Sequence, residues 1–259
     1  MSLNPVTRDW RDRRVWIAGA SSGIGHALAR LLLERGARVA ASARNEEMLR
    51  ALAERYPGRV VVLPFDVKDL QAWKRSHATL LGEWSAIDQL VVCAAGYRPV
   101  RAWELQPEQI RDMVATNLQG AMTGVATVLP GMLARGSGAI SLLASVAGYT
   151  GLPKALVYGP TKAALINFSE ALYLDVHGRG IAVHLVNPGF VDTPLTRQND
   201  FRMPALISAE EAAAEIVRGM ERGQFEIHFP RRFTRWLHLL RRLPYPLRFA
   251  ALAKIAEQP

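Results

Sequence analysis

The stretch VWIAGASSGIGHALARLLLERG, Val15 to Gly36, joins a strand pattern to a helical pattern across a glycine-rich turn. The apolar run Val15–Ala18 precedes the turn GASSGIG, Gly19 to Gly25, and the amphipathic run Ile24–Arg35 follows it. Glycines permit a tight turn and the close approach of a phosphate, and the first turn of a helix offers free N–H groups to an anion. This order of strand, turn and helix predicts a binding site for the pyrophosphate of a dinucleotide.

Short apolar runs and longer helical patterns alternate along the rest of the chain. The predicted strands are Val15–Ala18, Val39–Ala43, Val60–Leu63, Leu90–Ala94, Ala139–Leu143, Ile181–Val186 and Phe225–Phe229. The predicted helices are Ile24–Arg35, Glu46–Tyr56, Leu70–Leu81, Pro107–Leu133 with a break, Tyr158–His177 and Ala209–Arg222. Such alternation implies right-handed crossovers and a parallel sheet covered on both faces. We expect an α/β fold, a Rossmann-type doubly wound parallel sheet of about seven strands in a single domain with a C-terminal helical extension.

The chain has 259 residues, 49% of them hydrophobic and 21% charged, which suits one large globular core. We divide it into a catalytic domain, 1–230, and a basic extension, 231–259, which carries +6 of the net +9. The single cysteine, Cys93, excludes an internal disulfide and leaves no Cys/His cluster for a metal. No apolar run has the length of a membrane span, and Met1–Arg14 is too charged for a signal peptide, which favours the cytoplasm.

The end of the second predicted strand distinguishes NAD(H) from NADP(H). An NAD(H) site carries an acidic residue there, which binds the ribose 2′-hydroxyl. This sequence has Ala43 and Arg44 instead. Because an arginine can pair with a 2′-phosphate and stack on adenine, we expect NADP(H) as the cofactor. The alternative is a solvated arginine at the start of a loop.

A second chemical pattern lies in YGPTKAAL, Tyr158 to Leu165. Pro160 suits the first turn of a helix, and residues four apart then share a face. The Lys162 ammonium would therefore lie near the Tyr158 oxygen and lower the tyrosine pKa from about 10 toward neutrality. Tyr158 would then be a usable proton donor.

With these motifs, the sequence resembles the short-chain dehydrogenase/reductases from about Arg14 to Phe229. The cofactor-binding positions implied by the resemblance are Gly19, Ser21, Ser22, Gly23, Ile24 and Gly25 of the turn, Asp66, Val67, Ala94, Ala95 and Gly96, and Pro188, Gly189, Val191 and Thr193 of the segment PGFVDT. Arg44 completes this set from the end of the second strand. The implied catalytic positions are Asn117 in ATNLQG, Ser145 in ASVAG, Tyr158 and Lys162, and Asn117, Tyr158 and Lys162 are also expected to contact the cofactor.

The resemblance implies hydride transfer between a nicotinamide and a carbonyl or alcohol. Tyr158 would be the general acid toward a ketone or the general base toward an alcohol. Lys162 and the cationic oxidised nicotinamide would lower the tyrosine pKa. Lys162 would also bind the nicotinamide ribose, and Ser145 would bind the substrate oxygen. Asn117 would hold a water that links Lys162 to solvent. The structural alternatives are a strand-end cap for Ser145, a helix kink for Asn117 and a packed ring for Tyr158.

The chain departs from the family pattern at Ala18 and Cys93, where Thr and Asn are common. These changes remove two groups that usually brace the loops at the strand ends and leave the catalytic set intact. Cys93 is expected to be a small core residue rather than a reactive thiol.

Two rival functions follow from the same residues. Gly19–Gly23 also fits the Gly-x-Ser-x-Gly elbow of a serine hydrolase, with Asp192 and His228 in the right chain order. The position of the motif after the very first strand disfavours this reading. The second rival is a non-enzymatic NADP-binding sensor or scaffold, which the presence of Tyr158 and Lys162 disfavours.

The extension has the pattern of a basic amphipathic helix. A projection from Phe233 places Phe233, Trp236, Leu237, Leu240 and Leu243 on one side, Arg231, Arg235, His238 and Arg242 opposite, and Arg232 on the apolar flank. This pattern suits an anionic membrane surface, and the alternative is a stripe that packs over the substrate pocket or a second subunit. Pro244-Tyr245-Pro246 should break the helix before Leu247–Ala256 resumes. A nucleic acid partner is not expected, because no recognisable binding module accompanies the basic segment.

The segment from Pro194 to Ser208 corresponds to the lid over the substrate in similar proteins. It contains Leu195, Phe201, Met203, Pro204, Leu206 and Ile207, alongside Arg197 and Arg202. With the extension, this composition favours a lipophilic carbonyl or alcohol, and a cytoplasmic enzyme that is peripheral on the inner membrane face. The resemblance also implies a homodimer or homotetramer, and NADP(H) favours the direction of reduction.

Overall fold

The computed structural model describes residues 2–199 and 203–256 of the chain. In these residues, seven parallel strands form one sheet in the order β3-β2-β1-β4-β5-β6-β7. The strands are β1 (Arg14–Ala18), β2 (Arg38–Ala43), β3 (Val60–Pro64), β4 (Gln89–Val92), β5 (Gly138–Leu143), β6 (Ile181–Pro188) and β7 (Glu226–Phe229). The helices are α1 (Gly23–Glu34), α2 (Glu46–Arg55), α3 (Leu70–Trp84), α4 (Pro107–Val114), α5 (Gly120–Arg135), α6 (Tyr158–Val176), α7 (Ala209–Glu221), α8 (Arg231–Arg241) and α9 (Tyr245–Ala256). The predicted doubly wound parallel sheet is confirmed.

Both faces of the sheet are covered, which explains why β1 to β6 are mostly apolar without alternation, whereas the edge strand β7 alternates. Trp16 of β1 packs on one face within a core that includes Trp73 of α3. Ile17, its neighbour in β1, points to the opposite face and belongs to a core with Leu28 of α1 and Ile216 of α7. Trp16, Ile17, Leu28 and Ile216 are fully buried. The sheet is therefore a rigid platform for the loops at its carboxyl edge.

Side-chain caps set the starts of α2 and α3. The Asn45 side chain accepts a hydrogen bond from Met48 N at the start of α2, and the Asp69 carboxylate accepts from Gln71 N and Ala72 N at the start of α3. α3 continues to Trp84, past the predicted end at Leu81. β4 is shorter than predicted, because it ends at Val92 and the next residues belong to the loop.

The predicted break between Pro107 and Leu133 is a π-helical segment, Ala115–Gln119, between α4 and α5. Pro130 lies inside α5 without ending it. The wider turn places Asn117 toward the loop that follows β4, and π-helical turns of this kind occur frequently at functional sites.

The C-terminal extension forms α8 and α9. Tyr245 and Pro246 belong to the first turn of α9, so the break predicted over Pro244-Tyr245-Pro246 is confined to the residues before Tyr245. A proline is tolerated in a first turn, where its missing N–H has no helical partner to lose. Leu237 and Leu252 pack into the same core as Trp16, so both helices rest on the α/β unit. No helix in the described part of the chain is long and apolar enough to cross a bilayer.

Candidate active site

A cavity of about 300 Å³ lies beyond the carboxyl ends of the strands. It is lined by nearly the whole predicted set: Gly19, Ser21, Ser22, Gly23, Ile24, Gly25, Arg44, Asp66, Val67, Ala94, Ala95, Gly96, Ser145, Tyr158, Lys162, Pro188, Gly189, Val191 and Thr193. Asn117 is fully buried behind this lining. Residues scattered over the sequence therefore meet at one edge of the sheet, as the parallel topology requires.

The turn between β1 and α1 has room only for glycine at two positions. Gly19 has φ of +96°, and a Cβ there would lie 2.5 Å from Ala94 N. A Cβ at Gly25 would lie 2.0 Å from the Gly19 carbonyl oxygen. The first N–H groups of α1 have no partner within the helix, so this bare backbone fits a pyrophosphate. Arg44 is exposed in the wall at the end of β2, where an acidic residue is absent, and this fits a ribose 2′-phosphate.

Tyr158 and Ser145 lie together at the inner end of the cavity. α6 begins at Tyr158, as predicted, and Tyr158 and Ser145 both line the cavity. The Ser145 hydroxyl also accepts a hydrogen bond from Ala147 N at 3.1 Å. Ser145 thus forms the strand-end cap of the structural alternative and lines both this cavity and its neighbour together with Tyr158.

Lys162 is buried beneath the tyrosine ring. Its Nζ donates a hydrogen bond to the Leu143 carbonyl at 2.7 Å and lies 5.5 Å from the centroid of the Tyr158 ring. Burial lowers the pKa of Lys162 to about 8. Burial also raises the pKa of Tyr158 to about 12, against the opposing effect of the Ser145 hydrogen bond. The predicted lowering of the tyrosine pKa is therefore wrong for the protein alone, because the ammonium bonds a carbonyl and the buried phenol disfavours charge.

Asn117 braces the loop after β4. Its Oδ1 accepts from Gly96 N at 2.6 Å, and its Nδ2 donates to the Gly96 carbonyl at 2.8 Å and lies 3.2 Å from Thr161 Oγ1. These bonds join the π-helical segment to the loop and to α6. Asn117 thus lies in the break of the helix but bonds the loop and α6 rather than the helix backbone, and its role in holding a water stays a prediction.

A second cavity, of about 180 Å³, adjoins the first. The two share the lining residues Ser145, Tyr158, Gly189, Leu195 and Thr196. The second lining is mainly apolar and includes Leu152, Pro153, Phe190, Pro204, Phe233, Trp236, Leu237 and Leu252, together with Arg101, Lys154 and Asn199. The predicted apolar stripe of α8 therefore packs over this cavity, which was one of the two alternatives.

The predicted lid contributes only part of its apolar residues to this cavity. Leu195 and Pro204 line it, whereas Ile207 pairs with Val191 and packs into the core on the other face. Leu206 is exposed, and the Met203 sulfur lies 3.4 Å from Asn199 Nδ2. Phe201 and Arg202 lie outside the described residues. Arg197 forms an ion pair with Asp192 at 2.9 Å.

Tyr97 is a cavity residue that the sequence analysis missed. Its ring meets that of Tyr158 edge to face, with the centroids 5.0 Å apart. Its hydroxyl donates a hydrogen bond to Asn199 Oδ1 at 2.8 Å. The available signal was its position directly after Gly96, because residues that follow a strand in such a sheet face the ligand site.

The contacts of the remaining candidates disfavour the hydrolase alternative. Asp192 pairs with Arg197, and His228 Nδ1 lies 2.6 Å from Thr234 Oγ1, so these two side chains do not form a charge relay with each other. Burial raises the pKa of the Cys93 thiol to about 12, which agrees with its expected role as a packed residue.

Comparison with known proteins identifies the class. The family model described as short chain dehydrogenase matches residues 13–203, and the chain belongs to this family. An uncharacterized oxidoreductase of Myxococcus xanthus (strain DK1622) is 35% identical over 246 residues, which cover 94% of this chain and 97% of the relative. The NADP-dependent 3-hydroxy acid dehydrogenase YdfG of Salmonella typhi is 35% identical over 180 residues, 68% of this chain and 72% of the relative.

A solved structure agrees with the same class. The closed form of a serine dehydrogenase complexed with NADP+ superposes with a TM-score of 0.78 at 26% identity, over 83% of this chain and 93% of that chain. The protein is therefore an oxidoreductase of the short-chain dehydrogenase type with a nicotinamide-binding fold.

Proposed function

We propose that the protein is an NADP(H)-dependent oxidoreductase that transfers a hydride between the nicotinamide and a lipophilic carbonyl or alcohol. The observation that carries the proposal is the junction of the two cavities at Ser145 and Tyr158. A polar cavity with a glycine-rich turn suits the dinucleotide, and an apolar cavity suits the organic substrate. Tyr158, the proposed proton donor, lies at the junction, where the nicotinamide and the substrate would meet.

The residues of the junction divide the proton chemistry between them. A dinucleotide held by the cofactor-binding residues would supply or accept the hydride. Tyr158 holds a proton at its phenol oxygen, passes it to the substrate oxygen in reduction and takes it back in oxidation. Ser145 donates a hydrogen bond to the same oxygen, where negative charge develops. Lys162 binds the nicotinamide ribose, and Asn117 holds the water that returns a proton to Lys162.

The preference for NADP(H) rests on Arg44. The other positions proposed to bind the cofactor are the turn residues, Asp66 and Val67, Ala94 to Gly96, and the segment from Pro188 to Thr193. An NADP-dependent relative and an NADP+-bound structural neighbour support this choice. A guanidinium satisfies a phosphate by paired hydrogen bonds, which a ribose hydroxyl cannot accept in the same way.

The preference for a lipophilic substrate rests on the walls of the second cavity, where Phe190, Phe233 and Trp236 contribute aromatic surface. We further propose a cytoplasmic homodimer or homotetramer, built on the helices around Asn117 and Tyr158. Contact with the inner face of the membrane is proposed for the extension, 231–259.

A screen of NADPH oxidation tests the function. Ketones and aldehydes of graded lipophilicity are supplied to the wild type and to Tyr158→Phe, with NADH in parallel. We expect turnover of apolar carbonyls with NADPH, and loss of turnover with retained NADPH binding in the variant. Binding of NADPH without turnover of any compound would favour the sensor or scaffold alternative instead.

A further inference from the structure

The apolar stripe that the sequence offers to a membrane is already used within the protein. Leu237 and Leu240 of α8 are buried, with 2% and 6% of their surface exposed. Phe233 lines the second cavity, and its ring lies against Phe190 with centroids 5.8 Å apart. A membrane contact through this stripe would require α8 to leave the protein.

A different set of large apolar side chains stays exposed on the same two helices. Leu239 of α8 is 61% exposed, and Tyr245, Leu247 and Phe249 of α9 are 65%, 60% and 56% exposed. Trp236 is 41% exposed although it also lines the second cavity. Five exposed large side chains on two consecutive helices call for an explanation, because exposed apolar patches on monomeric proteins often mark interaction sites.

Exposed arginines lie among these side chains. Arg232, Arg235 and Arg242 share the outward side of α8 with Leu239, since they lie three, four or seven residues from it. At the start of α9, the Arg248 guanidinium lies 4.3 Å from the Tyr245 ring centroid and donates to the Arg241 carbonyl. That bond holds the beginning of α9 against the end of α8. We call these outward side chains the C-terminal face: Arg232, Arg235, Trp236, Leu239, Arg242, Tyr245, Leu247 and Phe249.

The charge of the C-terminal face distinguishes between its possible binding partners. Residues 231–256 contain no Asp or Glu, so the face has only positive charge around its apolar groups. A two-fold contact with a second copy would bring arginines against arginines. A nucleic acid would neutralise the arginines but leave Leu239 and Leu247 in water. An anionic lipid surface satisfies both components, because phosphates meet the arginines while aromatic and aliphatic groups enter the acyl boundary.

We infer that the C-terminal face binds the headgroups of anionic phospholipids. Trp236 belongs to both the face and the second cavity, so the bound orientation turns the cavity wall at α8 toward the lipid. In this orientation an apolar carbonyl passes from the bilayer into the cavity beside Trp236. This step rests on the proposed function, which supplies the apolar carbonyl as the substrate.

Sedimentation with vesicles tests the inference on the full chain without any need for turnover. Vesicles of phosphatidylglycerol and phosphatidylcholine in equal parts are compared with pure phosphatidylcholine at low and high salt. The variant Arg232→Glu/Arg235→Glu/Arg242→Glu is compared with Arg55→Glu/Arg179→Glu/Arg222→Glu, which reverses three exposed arginines on other elements. We expect the wild type to bind only the anionic vesicles, and we expect this binding to weaken at high salt. The first variant should reduce the binding about a hundredfold, because each lost arginine contributes about fivefold. The second variant should leave the binding unchanged.

The apolar component has its own matched pair. Leu239→Ser removes an exposed leucine from the C-terminal face, and Leu174→Ser removes a leucine of α6 that is 69% exposed. We expect about a tenfold loss of vesicle binding from the first and none from the second.

Three results would overturn the inference. These are equal binding to neutral and anionic vesicles, equal losses in the two triple variants, or absence of vesicle binding with a self-association that the first triple variant abolishes. Each leaves the proposed function standing if a water-soluble ketone is still reduced with NADPH. Conversely, vesicle binding without turnover of any carbonyl would sustain the lipid contact and refute the enzyme.

Discussion

Tyr158 and Lys162 lie one turn apart on α6, and burial governs the protonation of both. Removal from water penalises the phenolate and the ammonium alike, so the tyrosine pKa is raised while that of the lysine is lowered. The Leu143 carbonyl takes the hydrogen bond that the ammonium could otherwise give to the phenol. Proton transfer at Tyr158 therefore depends on whatever positive charge a bound dinucleotide adds nearby.

Titration of Tyr158 by tyrosinate absorbance examines this dependence. In the protein alone, the difference between the wild type and Tyr158→Phe should show no ionisation until the pH approaches about 12, the raised tyrosine pKa. Saturating NADP+ should move the onset to lower pH, because a cationic ring beside the phenol favours the phenolate. Ionisation near neutral pH without cofactor would mean that Lys162 acts on the phenol oxygen directly.

Arg44 determines the choice of cofactor if it pairs with a 2′-phosphate. Arg44→Ala should raise the KM for NADPH by about ten- to a hundredfold, which corresponds to one lost charge-assisted pair, and leave the KM for NADH nearly unchanged. Steady-state kinetics with both cofactors measures the effect, and Arg55→Ala on α2 is the control. An equal rise for both cofactors would assign Arg44 a structural role.

At the scale of elements, Glu226 at the start of β7 joins three parts of the site. Its Oε1 accepts from Tyr149 OH at 2.5 Å and from Asn187 Nδ2 at 2.7 Å, and lies 3.4 Å from His238 Nε2 on α8. Tyr149 follows the loop of Ser145, and Asn187 precedes the segment from Pro188. Burial and the carboxylate raise the pKa of Tyr149, so its phenol stays a donor. Glu226 thereby positions α8 above the second cavity.

Glu226→Gln keeps an acceptor for Tyr149 and alters the contact between Glu226 and His238. We expect a severalfold rise in KM for apolar substrates with little change in kcat, and a loss of about 1 kcal/mol in the free energy of unfolding, since the pair is partly exposed. Glu215→Gln, which alters a similarly exposed ion pair on α7, is the control. A fall in kcat at constant KM would refute a positioning role, and a double-mutant cycle with His238→Gln would locate the coupling.

Gly25, at the end of the glycine-rich turn, has no room for a side chain. Gly25→Ala would place a methyl group 2.0 Å from the Gly19 carbonyl, so the turn must move and the pyrophosphate site must be distorted. We expect NADPH affinity to fall by at least about tenfold, as measured by fluorescence titration. Gly82→Ala in the last turn of α3, where a Cβ meets nothing within 4 Å, should leave affinity unchanged and stability equal or up to about 1 kcal/mol higher.

The sequence predicts the elements well where local physics decides them. The apolar runs mark β1 to β6 because burial on both faces removes alternation, whereas the edge strand β7 alternates polar and apolar residues, and Pro160 marks the start of α6. The partners of Asn117 and Glu226 could not be predicted, since Gly96 and His238 come to them through tertiary packing. The predicted lowering of the Tyr158 pKa was wrong for the same reason. Helical spacing predicts that Lys162 lies near Tyr158, but it does not predict the desolvation of either group or the hydrogen bond from Lys162 to the Leu143 carbonyl.

At the scale of the whole molecule, the N-terminal segment is bound to β6, the strand that leads into the proposed cofactor-binding segment from Pro188 to Thr193. Asn4 Nδ2 donates to the Val183 carbonyl at 2.7 Å, and Asn4 Oδ1 accepts from Val183 N at 3.1 Å. Next to this contact, His184 of β6 is buried, with its Nδ1 2.6 Å from the Gln224 carbonyl. The neutral imidazole satisfies that carbonyl by donating from Nδ1, so protonation would add a buried charge without adding a bond there.

This buried imidazole makes the stability of the fold dependent on pH. Burial, together with the charge of Arg13, lowers the pKa of His184 from 6.5 to about 4. Between these values the unfolded chain binds more protons than the folded protein, so the contribution is complete above pH 6.5 and is lost as the pH falls toward 4. The full loss is about 3 kcal/mol.

Urea denaturation at pH 7 and pH 4.5 therefore distinguishes His184→Asn from the wild type. The variant keeps a donor near the Gln224 carbonyl and has no group that titrates, so it should lose less stability than the wild type between the two pH values, whatever it loses at pH 7. The control His177→Asn alters an exposed histidine after α6 and should leave the wild-type pH dependence intact. If His184→Asn and the wild type lose stability in parallel on acidification, carboxylates rather than the buried imidazole govern acid unfolding, and the joint between the N-terminal segment and β6 is not its origin.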